Sequence, residues 1–210
     1  MLTAYQYEEP INFLRKIVND FEPVSFASFV NALTENKHNF DLTEISQFYD
    51  DLKDGKSPKL IINKSLLFNY SYLVSSILPL YAIFDQDIDI ITISCSDFLA
   101  KTANMIRHDL FHKFKLDRYF EISLLKKIYS TSVFESLTGR GCKLLILDNI
   151  SLGNEFINDN NFNNNLTEWL RCYVQSRLYP NAEIIYLNST NIKNDTTEIF
   201  VRNLKNLKYN

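Results

Sequence analysis

The sequence predicts an α/β domain in which a mainly parallel β-sheet is sandwiched by helices and preceded by a helical N-terminal extension. Short apolar segments rich in β-branched residues alternate with longer segments of helical periodicity, which is typical of parallel sheets. At 210 residues with 46% hydrophobic residues, the chain is also long and apolar enough to bury a core of its own. No repeat or linker divides it. We assign residues 1–57 to the extension and residues 58–210 to the core.

The extension is predicted to consist of helices. Apolar residues recur at helical spacing in Pro10–Asp20 and Ser25–Asn36, and Glu22-Pro23 separates these two segments. A third helix begins after Asp41, whose side chain is a suitable N-cap. The segment Asp54–Pro58 ends this helix and leads into the core.

The first half of the core is predicted to contain two strands, each followed by a helix. The first strand spans Lys59–Asn63 and runs directly into an apolar helix over Lys64–Phe84. The second strand spans Asp87–Ser94, and Ser96-Asp97 caps a helix that continues to about Phe114. The residues of this second helix that are spaced for burial are Phe98, Leu99, Thr102, Met105, Ile106 and Leu110.

The second half of the core centres on one apolar strand. The segment Leu116–Leu137 is ambiguous, and we predict short strands and a turn there. After the loop Thr138–Gly141, the run Lys143–Leu147 ends in Asp148, which is the pattern of a central parallel strand. The asparagine-rich segment Asn149–Asn165 is predicted to be a loop. The remaining predicted elements are a helix over Leu166–Leu178, a turn at Tyr179–Asn181, a strand over Ala182–Leu187 and a helix from Asp195.

Composition argues against several classes of function. A net charge of −3 provides no overall attraction to nucleic acid or to an anionic membrane. Cys95, Cys142 and Cys172 are far apart and odd in number, as in a cytoplasmic protein with reduced cysteines. Met1–Glu9 lacks the features of a signal peptide, and polar residues interrupt the most hydrophobic stretch, Leu66–Phe84. We therefore expect a cytoplasmic protein that has no membrane partner.

The junction of the first strand and the first long helix has the frame of a phosphate-binding loop. Asn63 ends the strand, and the pair Lys64 and Ser65 begins the helix. In an intact loop the lysine and the serine hold phosphates and Mg²⁺, and glycines let backbone N–H groups surround the phosphates. No glycine is present at this junction, so we expect a loop too short to enclose a phosphate. The alternative is that Lys64 and Ser65 only cap a helix.

Asp148 is the candidate metal ligand, because parallel sheets carry functional groups at the carboxyl ends of their strands. It would bind Mg²⁺ directly or through water, and the alternative is that it caps the loop that follows. Asn149 comes next and cannot take a proton from water at neutral pH, so it cannot serve as a general base. The sequence therefore provides no confident catalytic residue.

Two arginines are candidate phosphate contacts. Arg140 lies in the glycine turn and Arg177 near the end of a predicted helix, and either could act within the chain or as an arginine finger towards a neighbour in a ring. The alternative is that both are surface or packing residues. The basic clusters Lys126-Lys127 and Lys205–Lys208 would give at most weak, salt-sensitive binding to DNA.

The order of these motifs resembles that of the ATPase part of the terminase large subunit of tailed phages and phage-derived elements. The resemblance extends from about Asp41 to Asp195. Its most specific segment is Thr138–Asp148, which is similar to the glycine turn and Walker B strand of that family. The other segments that recur in order are Gly55 in an acidic turn, Leu60–Asn63, Lys64–Leu67, Ile93–Ala100, Trp169, Arg177-Leu178, Pro180 and Ile184-Ile185.

The resemblance implies a P-loop-NTPase-like fold, Mg-ATP as the cofactor of intact relatives, and ATP-driven packaging of viral DNA. It also implies double-stranded DNA, a portal protein or a small terminase subunit as partners. Two departures argue against activity in this chain. The family's short loop with proline and glycine is missing between Asn63 and Lys64, and Asn149 stands where the family has an acidic residue. The family's C-terminal nuclease domain has no counterpart.

These features predict a truncated, catalytically inactive relative of the terminase large subunit, from a prophage or a gene-transfer-type element, that uses no cofactor. Two other interpretations stay open. In one, the domain is a non-catalytic adaptor that binds a packaging partner. In the other, another part of the backbone supplies the phosphate cradle and Asp148 still holds Mg-ATP.

Overall fold

The computed structural model describes residues 25–34, 41–54, 56, 59–63, 68–118, 120–137, 139–157, 160–188 and 195–204. The predicted helix over Pro10–Asp20, the pair Lys64-Ser65 and the cluster Lys205–Lys208 lie outside these residues. The predicted length of the loop after the first strand therefore stays a prediction. Within the described residues the chain forms the predicted α/β fold.

The sheet of the described residues has five strands, all of them parallel. Their spatial order is β1-β5-β4-β2-β3, so β4 is the central strand and β1 and β3 form the edges. This arrangement confirms the prediction of a parallel sheet with the strand before Asn149 at its centre. The strands are β1 (Lys59–Asn63), β2 (Ile90–Ser94), β3 (Ile128–Ser132), β4 (Cys142–Asp148) and β5 (Leu178–Asn188).

Helices precede the sheet, connect most of its strands and follow β5. Two of them are interrupted by π-helical turns, at Leu73–Ile77 and at Leu170–Val174. None of the described helices is long and apolar enough to cross a membrane. The helices are α1 (Phe26–Thr34), α2 (Thr43–Lys53), α3 (Phe68–Tyr72), α4 (Leu78–Gln86), α5 (Asp97–Lys113), α6 (Gly153–Phe156), α7 (Phe162–Trp169) and α8 (Thr196–Asn203), with 3₁₀ turns at Leu116–Arg118, Ile122–Lys127, Ile150–Leu152 and Gln175–Arg177.

The two faces of the sheet bury separate hydrophobic cores, because successive side chains of a strand point to opposite faces. On one face, Leu144 and Ile146 of β4 pack with α1, α2, α4 and the end of α5. On the other face, Leu145 and Leu147 pack with α7 and its extension and with α8. Tyr49 of α2 also donates a 2.8 Å hydrogen bond to Asp85 of α4. The N-terminal helices α1 and α2 therefore share a core with the sheet.

Ser96 caps α5 as predicted, since its side chain accepts a hydrogen bond from Leu99 N. The N-cap predicted at Asp41 was displaced by one residue: Leu42 is the N-cap of α2, and Asp41, one residue earlier, accepts a hydrogen bond from Thr43 N. The helix predicted from Asp195 begins there, and the side chain of Asp195 accepts two hydrogen bonds from the first turn of α8. The strand predicted from Asp87 begins instead at Ile90. Asp87 adopts a left-handed conformation, with φ of 53°, and ends α4.

Two predictions in the second half of the core were wrong in part. The segment Asn149–Asn165 is not only a loop, since it contains a 3₁₀ turn, α6 and the start of α7, anchored by buried Ile150 and Phe162. The turn predicted at Tyr179–Asn181 lies inside β5. Asn181 has φ of 59°, and the pairing of β4 with β5 shifts its register at this point. The residues typical of a turn form an irregularity within a strand.

The predicted buried face of α5 was also wrong. Phe98 and Met105 are 75% and 64% exposed, and among the residues predicted to be buried only Leu110 is fully so. The helix instead buries a face that begins with small residues and includes a charged one. The buried residues of α5 are Ala100, Ala103, Arg107, Leu110 and Phe111.

Candidate functional site

Asp148 lies at the carboxyl end of β4, in the middle of the sheet edge where parallel sheets carry their sites. Its neighbours in register are Ser94 on β2 and Leu187 on β5. Only 4% of Asp148 is exposed, because the helix that follows β1 covers it. A carboxylate at this depth needs donors of its own, and the structure provides three.

The side chain of Asp148 accepts hydrogen bonds from two serines and an asparagine. Ser71 Oγ donates to Oδ1 at 2.8 Å, and Ser75 Oγ donates to Oδ2 at 2.6 Å. Asn149 Nδ2 donates to Oδ1 at 2.7 Å and lies 3.2 Å from Ser71 Oγ. Asn149 reaches back in this way because its backbone is left-handed, with φ of 55°. Asn149 therefore serves as a hydrogen-bond donor to the carboxylate, and its amide cannot act as an acid or a base.

Burial and hydrogen bonding act in opposite directions on the pKa of Asp148. Burial raises the pKa, because a charged carboxylate loses the stabilisation that water provides. The hydrogen bonds from Ser75, Ser71 and Asn149 lower it, and the net effect is an increase. The site holds its negative charge less readily than an exposed aspartate does.

A buried arginine stands on the other side of Ser75. Arg107 of α5 is 1% exposed, and its Nη1 donates to the backbone oxygen of Ser75. Its Nη2 donates to Ser130 Oγ on β3 and to Asn104 Oδ1 at 3.4 Å, and Ser130 shares a 2.6 Å hydrogen bond with Thr92 on β2. Burial lowers the pKa of Arg107 to about 10, so the side chain remains charged at neutral pH.

Pro79 deprives the backbone oxygen of Ser75 of its regular α-helical donor. In a regular helix this oxygen would accept from the N–H of residue 79, which proline lacks. The π-helical turn Leu73–Ile77 adjoins this point, where the regular pattern is already interrupted. Arg107 donates to the oxygen instead. Ser75 therefore links two buried charges of opposite sign, because its hydroxyl donates to Asp148 and its backbone oxygen accepts from Arg107.

The predicted site residues do not come together in one place. Asp148 and Asn149 are at the carboxyl end of β4, whereas Arg140 and Arg177 precede β4 and β5 and lie at the opposite edge of the sheet. The seven residues of β4 separate the two edges by about 20 Å. Arg140 donates to the backbone oxygen of Lys126 at 2.9 Å and lies over the ring of Tyr129. Neither arginine can contact a phosphate held at Asp148 of the same chain, and a role as an arginine finger towards a neighbouring chain stays a prediction.

Sequence reasoning missed Ser71, Ser75 and Arg107. A signal for the serines was present, since two small polar residues four positions apart lie on one side of an otherwise apolar, buried helix. Arg107 gave no signal, because a lone arginine in a helix of mixed composition is usually exposed.

The donor set around Asp148 does not fit a bound Mg²⁺ as it is arranged. The carboxylate and the Ser71 hydroxyl are oxygen ligands of the kind that Mg²⁺ prefers. However, donor groups from Ser71, Ser75 and Asn149 already engage both carboxylate oxygens. Among the described residues, no three histidine, cysteine, aspartate or glutamate side chains gather where a metal could bind.

Neither a scan against models of protein families nor a search of curated proteins finds a match to this chain.

Proposed function

We propose that this chain is a P-loop-NTPase-like domain, related to the ATPase part of the terminase large subunit, that does not hydrolyse ATP and acts as a protein-binding adaptor. The observation that carries the proposal is the 2.8 Å hydrogen bond from Ser71 Oγ to Asp148 Oδ1. In P-loop NTPases, the last serine or threonine of the loop motif and a strand-end aspartate hold the same Mg²⁺. Ser71 and Asp148 have the corresponding relationship, a role first predicted for Ser65.

This contact sets the register of the loop motif, which reads G-x-x-x-x-G-K-[ST]. With Ser71 as its last residue, Tyr70 takes the place of the lysine, and Lys64 and Asn69 take the places of the two glycines. Tyrosine supplies no positive charge for a phosphate. Residues other than glycine also resist the backbone conformations that direct consecutive N–H groups at an anion. Unlike the predicted deletion, this register leaves the motif at its full length, so the proposed loss of nucleotide binding rests on the absence of all three signature residues.

The environment of Asp148 supports the loss of catalysis. Asn149 stands beside the aspartate, and its amide donates to the carboxylate where an activated water would need an acceptor. Ser75 and Asn149 together hold the carboxylate within the protein. The hydrogen bonds of the site therefore attach the helix after β1 to the central strand of the sheet.

Protein partners are favoured over DNA by the described surface. The chain has a net charge of −3, and α5 exposes Phe98 and Met105 two helical turns apart on one side. Exposed aromatic and methionine side chains are enriched in protein interfaces. By the resemblance to terminases, the partner is a portal protein or a small terminase subunit.

A second candidate function is residual binding of Mg-ATP. It is favoured by the same Ser71–Asp148 pair, which supplies two oxygen ligands suited to Mg²⁺. It requires Ser75 and Asn149 to release the carboxylate when the nucleotide binds. The two candidates therefore differ in whether the protein responds to nucleotide.

Thermal unfolding with and without millimolar Mg-ATP separates the candidates. We expect an unchanged melting temperature, whereas nucleotide binding raises it by about 2–4 °C for each kcal/mol of stabilisation. Asp148→Asn is the site variant, and Asp97→Asn, at an exposed aspartate, is the matched control. A rise in the wild type that Asp97→Asn keeps and Asp148→Asn removes would contradict the adaptor proposal.

The relationship to terminases has a test of its own in the genome. We expect the coding region to lie beside genes for a portal, a small terminase subunit or a terminase nuclease. A location among genes unrelated to DNA packaging would contradict this part of the proposal. Where a portal or small-subunit gene is present, its product should bind the chain, and Phe98→Glu should weaken that binding.

A further inference from the structure

A polar pocket lies at the opposite edge of the sheet from Asp148. It is open to solvent and has a volume of about 430 Å³, within the range of sites for small molecules. The loop before β4 forms one side, with Gly139 and Gly141, and the start of β5 forms the other, with Ser176, Arg177 and Tyr179. The adaptor proposal makes no use of this pocket.

Arg177 lines the pocket and carries an unsatisfied donor. Its Nε–H is shielded from solvent and has no hydrogen-bond acceptor among the described residues. Arginine stays protonated in proteins, so the N–H remains a donor in need of an acceptor. Arg107 and Arg140 differ in this respect, because each donates to a backbone oxygen of the protein. Arg177 also lines the pocket, so an anion bound there would lie against an arginine that has a donor without an acceptor among the described residues.

The two glycines shape the side of the pocket that faces Arg177. Gly141 lies against the ring of Tyr179, where a Cβ would be 2.1 Å from Cε1. Gly139 has φ of +72°, and no atom of the described residues other than its chain neighbours lies within 4 Å of the position of a Cβ. The Tyr179 ring therefore fills the space beside Gly141, whereas Gly139 leaves its backbone open to the close approach of a ligand.

Arg177 is the donor on which binding would depend. The hydroxyl of Tyr179 points to Asp89 Oδ2 at 3.4 Å, and Ser176 Oγ donates to the backbone oxygen of Tyr173 at 2.9 Å. Both hydroxyl hydrogens are therefore in use within the protein. A guanidinium matches the planar or tetrahedral oxygens of carboxylates and phosphates, with charge-assisted hydrogen bonds.

We infer that this pocket binds a small molecule that carries an oxyanion, either a phosphate or a carboxylate, and that Arg177 is the residue that contacts the anion. The inference does not depend on the proposed adaptor function, because Arg177 and Asp148 lie at opposite edges of the sheet.

The test is a titration of the ¹⁵N-labelled full chain with pyrophosphate or acetate at constant ionic strength and without Mg²⁺. We expect a saturable shift of the Arg177 Nε–Hε resonance. Loss of one charge-assisted hydrogen bond should weaken binding about 10–100-fold in Arg177→Gln. Arg171→Gln, at an exposed arginine on the preceding turn, is the matched control and should leave binding unchanged.

The two probes distinguish the two ligand classes. A response to pyrophosphate alone assigns a phosphate, and a response to acetate alone assigns a carboxylate. No saturable shift with either probe, or equal binding by Arg177→Gln, overturns the inference. If Arg177→Gln does not fold, the Arg177 resonance of the wild type decides the question. A thermal shift with ATP that survives in Asp148→Asn and is lost in Arg177→Gln belongs to this pocket and leaves the adaptor proposal intact.

Discussion

The hydroxyl of Ser75 donates a 2.6 Å hydrogen bond to Asp148 Oδ2, and both residues are buried. The backbone oxygen of the same serine accepts from Arg107, so a single residue separates two buried charges of opposite sign. The contacts tie the helix after β1 to the central strand and to α5. We therefore expect substitutions of Asp148 and of Arg107 to have coupled effects on the free energy of unfolding.

Removing the carboxylate of Asp148 should destabilise the fold strongly. Asp148→Ala leaves the donors of Ser71, Ser75 and Asn149 without their acceptor in a buried site. We expect a loss of about 3 kcal/mol or more in the free energy of unfolding, measured by urea denaturation. Asp97→Ala, at an exposed position, should change it by about 0.5 kcal/mol or less. Equal effects of the two variants would show that the buried contacts contribute little.

Arg107→Lys should also be destabilising although it keeps the charge. An ammonium group lacks the planar fork that reaches Ser75 and Ser130 at the same time, so we expect a loss of about 2–3 kcal/mol. Arg202→Lys on the surface of α8 is the control and should cost about 0.5 kcal/mol or less. A double variant with Asp148→Asn should cost less than the sum of the single variants, because both act through Ser75. Additive costs would argue against this coupling.

The stability contributed by Glu183 should depend on pH. Glu183 is buried on β5 beside Lys143, which lies 2.7 Å away. Burial raises the pKa of Glu183 above its ordinary value of 4.5, although Lys143 opposes the effect. The folded state therefore holds the proton more tightly than the unfolded state. This tighter binding of the proton stabilises the fold fully below pH 4.5, and the stabilisation is lost as the pH rises through the pKa of Glu183 in the folded state.

The raised pKa of Glu183 predicts how stability changes in Glu183→Gln, a variant that keeps the shape of the side chain without its charge. The free energy of unfolding of the variant should rise relative to that of the wild type as the pH increases above 4.5. Urea denaturation at several pH values measures the difference. Glu121→Gln, at an exposed glutamate, serves as the control. A difference between Glu183→Gln and the wild type that stays constant with pH would contradict a raised pKa in the folded state.

Gly141 should tolerate a methyl group only when Tyr179 is absent. Gly141→Ala places a Cβ 2.1 Å from the tyrosine ring, so the ring must move away and lose its contact with Asp89. We expect a cost of about 1–2 kcal/mol in the wild type and a much smaller one in a Tyr179→Ala background. Gly139→Ala is a useful comparison, since its cost of about 1 kcal/mol would come from a positive φ and should not depend on Tyr179.

The sequence predicted the sheet better than it predicted the site. Strand β1 was predicted with its observed bounds, and Asp148 was correctly placed at the end of the central strand, because both segments are apolar and bounded by polar residues. The face of α5 was not predicted. Its buried side uses Ala100, Ala103 and Arg107, and a hydrophobic pattern cannot reveal small residues or a buried charge. Phe98 and Met105, which the spacing predicts to be buried, are exposed.

The candidate site could be predicted only at Asp148. Its partners Ser71 and Ser75 precede it by 77 and 73 residues, and only the fold brings them together. Arg140 and Arg177 were proposed for the same site because their residue type suits phosphate. The direction of the strands separates them from Asp148, since both arginines precede the strands whose other ends form the site.

The pairing of β1 with β5 has a consequence for synthesis of the chain. Among the described strands, β1 hydrogen-bonds only to β5, and Asn63 pairs with Asn188 near the end of the sequence. On a ribosome, the first strand is made on the order of ten seconds before its neighbour emerges. During that interval its apolar edge is open to other chains. The sheet of the described residues is therefore completed only once β5 has been made, and chaperones have most reason to act before that moment.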